Sequence, residues 1–131
     1  MPAETVYSSG DFAGYIQEIV NYIHGANVAA GWWNDLETGE RKDRNVGELL
    51  MLTVSELAEA MEGHRKNLMD DKLPHRPMFE VELADTLIRI FDMAGGLGYD
   101  VGGAMVEKLA YNAKREDHKI ESRKKPDGKK Y

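Results

Sequence analysis

Ser55-Glu56-Leu57-Ala58-Glu59-Ala60 and, after a gap, Glu82-Leu83-Ala84-Asp85 are the two segments from which the rest of the chain is read; both lie between Gly47 and Asp92. Each places two carboxylates three residues apart in a helical pattern. At 3.6 residues per turn, positions i and i+3 share one face, so each pair presents both carboxylates to one point. Two such helices packed together bring four carboxylates into one site. Hard divalent cations such as Mg2+ take oxygen ligands of this kind, and Mg2+ keeps positions open for water and phosphate.

The apolar residues around these segments predict an all-α fold. Leu49, Leu50, Leu57, Ala60 and Met61 fall within an arc of roughly 120° on the first helix, with Glu56 and Glu59 just off its edge. On the second, Val81, Leu83, Ala84, Leu87, Ile88, Ile90 and Phe91 cover about half the circumference, which predicts contacts on more than one side. Asp85 borders that face. Like charges at this spacing destabilise a helix by roughly 0.2–0.5 kcal/mol per pair. No basic residue lies between Glu48 and Glu62 to relieve the first helix. A solvated acidic surface is the commoner reason for one such pair; two pairs on the margins of apolar faces favour a cation site.

A chain of 131 residues with one continuous pattern reads as a single domain over residues 1–131. It has no cysteine, which excludes disulfides and thiolate metal sites. It shows no signal peptide and no apolar run of about 18 residues, so a soluble, cytoplasmic protein without a membrane partner is expected. The net charge of -6 is unevenly spread. Nine of the 17 Lys/Arg but only four of the 23 Asp/Glu lie from Lys108 onward, leaving eight against nineteen before it. That acidic body argues against nucleic-acid binding. The basic end suits a small anionic ligand.

Residues 1–10 read as a mobile leader and a first helix is expected from near Asp11, with Phe12, Ile16, Ile19, Val20 and Ile23 as its buried stripe. Asn27 projects near the centre of that stripe, as a satisfied core amide, as a helix-end cap or to recognise the polar edge of a ligand. Trp32 and Trp33 follow directly; adjacent tryptophans plug a bundle end or stack on a heteroaromatic base. Asn45 is the expected N-cap of the second helix, with Glu48 three residues later. Residues 63–77 form a basic connector, and the third helix is expected to start at or after Pro77 and to end at Gly95-Gly96 or Gly98. Asp100 caps a fourth helix running to about His118. On its wheel Lys108, Asn112 and Arg115 fall within roughly 40° of the centre of the apolar stripe; such cations snorkel out or meet an anion, and converging on a phosphate would resolve the arrangement. The basic tail, residues 119–131, reads as mobile.

Together these residues resemble the MazG-like all-alpha nucleoside triphosphate pyrophosphohydrolases. The resemblance covers most of residues 11–125 and rests on Glu56-x-x-Glu59, 22 intervening residues, Glu82-x-x-Asp85, and Lys108-x-x-x-Asn112-x-x-Arg115. The Gly31-Trp32-Trp33 segment and the run from Lys108 to Arg115 are most similar to short bacteriophage-type members. The resemblance implies a four-helix unit assembling into a homodimer or homotetramer, in the host cytoplasm if phage-encoded. It implies hydrolysis of a nucleoside triphosphate between the alpha and beta phosphates to the monophosphate and pyrophosphate, with dGTP or another purine dNTP as substrate. Glu56, Glu59, Glu82 and Asp85 would hold Mg2+ (or Mn2+), and Glu56 or Glu59 would take the proton of the attacking water. Lys108, Asn112 and Arg115 would bind the phosphates or sugar, and Asn27, Trp32 and Trp33 the base or sugar.

One departure stands out. Many members carry two glutamates directly before the first motif, where this chain has Leu52 and Thr53; Asp92 and Glu62 are the candidates to replace them. Two other readings fit an acidic helical protein: a non-catalytic metal- or nucleotide-binding protein, and a di-metal carboxylate oxidase. The second normally adds a Glu-x-x-His pair, which is missing among these carboxylates.

Overall fold

The computed structural model describes residues 8–131, and these are helical with no strands among them: α1 (Ser9–Ala29), α2 (Val46–Arg65), α3 (Met78–Leu97), α4 (Val101–Lys114), a 3-10 turn (Glu116–His118) and a one-turn helix α5 (Ile120–Arg123). The expected leader falls mostly on residues 1–7, outside the described residues; Ser9 and Gly10 already belong to α1. Ser8 explains the earlier start. Its hydroxyl accepts from Asp11 N–H at 3.2 Å while its own N–H donates to Asp11 Oδ2 at 3.4 Å, a reciprocal cap.

Local chemistry sets the other helix ends. Asn45 Oδ1 accepts from Glu48 N–H at 3.0 Å, and Asp100 Oδ1 accepts from Gly103 N–H at 2.9 Å, as capping residues should. At the end of α2, Leu68 N–H bonds the Gly63 carbonyl at 2.9 Å and Asn67 N–H bonds that of His64 at 3.3 Å, with Asn67 at φ 52°. This paired closure needs a left-handed residue, a conformation Asn tolerates. Gly98, at φ 77°, ends α3. α4 stops four residues before the expected His118 because Arg115 is extended, and the basic end carries short helical turns.

By its contacts the chain divides into two compact units, Ile19–Tyr99 and a second joining the chain up to Glu18 to Asp100–Tyr131. In the first, α2 and α3 pack against each other, with no room at Gly63 for a Cβ, which would meet the Met78 side chain at 2.8 Å. The connector between them is closed by Asp70, whose buried Oδ2 accepts from Lys72 and Leu73 N–H at 3.0 and 2.7 Å. Trp33 plugs the end of α3 against Gly96, whose missing Cβ leaves room for the indole ring. Arg41 Nη2 ties the loop after Trp33 to the Gly96 carbonyl at 2.6 Å. In the second unit Gly102 lies against the Ala13 carbonyl and Ile16, bringing α4 close to the first turns of α1.

The buried apolar core among the described residues is small: Val20, Trp33, Leu49, Ala60 and Ala94. Much apolar surface is left uncovered. Leu50, Val54, Leu57 and Met61 recur at 4-3-4 spacing along α2 and stand 47–58% exposed, and Phe79, Leu83 and Leu87 form a half-exposed row on α3. Among the described residues no helix is long and apolar enough to cross a membrane.

Candidate metal and ligand site

Glu56 and Glu59 on α2 and Glu82 on α3 each offer a carboxylate oxygen within 4.8 Å of the others. Two helices contribute the three groups; Asp85, the fourth expected carboxylate, is not among them. Glu82 is the most confined: the residue is 7% exposed, and its Oε2 is buried without a hydrogen-bond partner. Desolvation, then a hydrogen bond shared with Glu56 and the charges of Glu59, Asp85 and Glu56, push the Glu82 carboxyl up to about 8. Asp85 is raised too, first by desolvation and then by the charge of Glu56, with Arg89 acting against the rise.

These residues fit a hard divalent cation. The donors are all oxygen, and one of them is a buried orphan. Oxygens around an ion with bonds near 2.1 Å stand about 3–4 Å apart, so the cluster would need to contract only slightly. A cation would also offset the desolvation and the neighbouring charges that raise the Glu82 carboxyl.

A cavity of about 460 Å3 adjoins the cluster, within the range typical of small-molecule sites. Glu56 and Asp85 line it, together with Asn27, Trp32, Arg44 and Arg89. Leu49, Leu52 and Ile88 supply an apolar side. Asn27 and Trp32, expected in a base or sugar pocket, thus share one cavity with two of the carboxylates, and Trp32 is 59% exposed.

Trp33 departs from the expectation of stacking on a base. It is 1% exposed and its surroundings are the protein's own: its Nε1–H donates to Asp92 Oδ1 at 2.9 Å, His24 meets it edge-on at 5.1 Å, and the guanidinium carbons of Arg41 and Arg44 each lie 5.2 Å from its ring centroid. It takes the end-plugging role instead. Asp92 is likewise committed, since its Oδ1 also pairs with His24 Nδ1 at 2.8 Å. Glu62 pairs with Lys66 at 2.5 Å and Arg65 at 3.7 Å on the outer face of α2. Glu62 is thus engaged by Lys66 and Arg65, whereas Asp92 lines the cavity with its Oδ1 engaged. At the positions where the family carries that pair, Leu52 lines the cavity and Thr53 is buried, its hydroxyl donating to the Leu49 carbonyl at 2.9 Å.

Lys108, Asn112 and Arg115 belong to the second unit, where the chain itself meets the two cations. Arg115 is bidentate to Asp117, Nε at 3.1 Å and Nη2 at 2.8 Å, and Lys108 Nζ lies 4.7 Å from the Tyr111 ring centroid. Hydrogen bonds from Lys129 and Arg115 hold the Asp117 carboxyl well below its usual range. Asn112 Oδ1 is buried without a partner.

Two cations at the cavity escaped the sequence reading. Arg89 Nε donates to Glu56 Oε1 at 2.9 Å, with the arginine side chain 37% and the glutamate 13% exposed. A signal existed: Arg89 stands four residues after Asp85 and seven after Glu82, on the acidic face of α3. Arg44 had none beyond its place in a charged loop. Compared with known proteins, the chain matches no family model, no curated protein and no solved structure.

Proposed function

We propose that this protein is a metal-dependent nucleoside triphosphate pyrophosphohydrolase that cleaves a (deoxy)nucleoside triphosphate, with a purine dNTP such as dGTP preferred, to the monophosphate and pyrophosphate. The observation that carries the reading is the buried, unpartnered oxygen of Glu82 beside Glu56 and Glu59, on the edge of a nucleotide-sized cavity. The MazG-like motif spacing supplies the choice of reaction.

Glu56, Glu59, Glu82 and Asp85 would hold Mg2+ or Mn2+. Bound there, the cation would neutralise phosphate charge and make a water more acidic. Glu82 would surrender its proton as the site fills. Glu56 or Glu59 would accept the proton of the water that attacks phosphorus. Trp32 offers an exposed indole face for the base, and Asn27 a polar edge in the same cavity. Lys108, Asn112 and Arg115 enter through the resemblance as phosphate or sugar ligands; for Arg115 that role requires leaving Asp117. The uncovered rows on α2 and α3 support assembly into a homodimer or a tetramer of two dimers.

The test is a panel of ribo- and deoxynucleoside triphosphates with Mg2+ or Mn2+, with the products separated. Monophosphate and pyrophosphate formed only with metal bear the proposal out. Diphosphate and phosphate overturn it in favour of a hydrolase that cuts the beta-gamma bond, and no turnover with any nucleotide overturns it and leaves a binding protein.

A further inference from the structure

The carboxylate cluster is not left to repel itself: it already has a cation. Arg89 Nε sits 2.9 Å from Glu56 Oε1. Its side chain is more than a third exposed and lines the cavity, so the guanidinium has room to leave. Glu56, in contrast, is largely buried and is one of the three residues whose oxygens converge.

We propose that Arg89 is a displaceable counter-ion that competes with the divalent cation for Glu56 and so sets the metal affinity of the site. The proposal rests on the cation site inferred above. A guanidinium and a divalent cation held by the same carboxylate repel each other strongly at that distance. When the cation enters, Arg89 turns from Glu56 into the cavity, whose wall also carries Arg44. The same side chain that steadies the empty cluster is thereby set free, in the filled state, to face an anion. Arg89 is a positioning residue in this scheme, since it acts through Glu56.

The experiment is isothermal titration of the full chain with Mn2+ alone, without nucleotide, comparing the wild type with Arg89→Met and Arg89→Lys. Removing a competing unit charge beside a divalent site is expected to tighten Mn2+ binding by on the order of tenfold in Arg89→Met. Arg89→Lys keeps the charge but loses the planar Nε donor, so a smaller tightening is expected. Mn2+ should also raise the melting temperature of Arg89→Met by more than that of the wild type. If Arg89→Met does not fold, Arg89→Lys carries the test. Saturable Mn2+ binding that is unchanged or weaker in the variants overturns the counter-ion role and leaves the site standing. No saturable binding in the wild type or either variant overturns the site and this role together.

Discussion

The indole N–H of Trp33 donates to Asp92 Oδ1 at 2.9 Å, joining the loop after α1 to the last turns of α3 across 59 positions of the chain. His24 Nδ1 meets the same oxygen at 2.8 Å, so three residues from three segments close one end of the Ile19–Tyr99 unit. Hydrogen bonds to charged groups contribute roughly 1.5–3 kcal/mol. Trp33→Phe should therefore lower unfolding free energy by about that amount in denaturant titrations. Gly96→Ala should cost at least about 1–3 kcal/mol, because its Cβ would enter the ring of Trp33. Losses below about 0.5 kcal/mol in both would mean that this end is not built as described.

Glu82 makes metal-free stability depend on pH in an unusual direction. Its carboxyl titrates near 8 in the folded chain against 4.5 in the unfolded one, so between those values only the folded state binds the proton. Stability contributed by that proton is fully present below 4.5 and is lost as pH rises through 8. The raised Asp85 carboxyl acts with the same sign. The melting temperature in chelator should fall from pH 5 to pH 8, and Glu82→Gln should flatten the slope. A profile identical in wild type and Glu82→Gln would contradict the assignment.

Removing a cluster carboxylate should separate activity from stability. Glu59→Ala and Asp85→Ala are expected to reduce turnover by on the order of a hundredfold or more, whereas the melting temperature in chelator stays level or rises because repulsion is relieved. Unchanged turnover in either variant would sink the assigned role.

The rows Leu50, Val54, Leu57, Met61 and Phe79, Leu83, Leu87 make a prediction about assembly. Light scattering after size exclusion should give a mass of two or four times 14.7 kDa. Leu57→Glu should shift it toward the protomer. A wild-type protomer at micromolar concentration would refute the assembly.

What the sequence could reveal follows from how far apart the interacting residues lie. The caps at Asn45, Asp100 and Gly98 act within a few residues of their helix ends, and those ends were legible. The approach of Glu56, Glu59 and Glu82 followed from helical period and the pairing of two amphipathic faces. The partner of Glu56 lies 33 residues away, and which arginine reaches it depends on how α2 and α3 register, which periodicity does not encode. The same is true of Asp92, whose Oδ1 meets Trp33 and His24 from two segments far away in the sequence. Arg115 lies past the end of α4 in extended backbone, so the helical wheel does not apply to it, and an anion two residues along the chain satisfies it.

The two tryptophans, adjacent in sequence, differ almost completely in surroundings, one 1% and the other 59% exposed. With no other indole in the chain, its ultraviolet emission is the sum of a shielded lamp and an open one. Acrylamide or iodide should quench the light of Trp32 first, leaving the bluer emission of Trp33 until the chain unfolds. A nucleotide base stacked in the cavity would dim the open lamp alone, so a single unlabelled sample can be watched for occupancy and for unfolding at once.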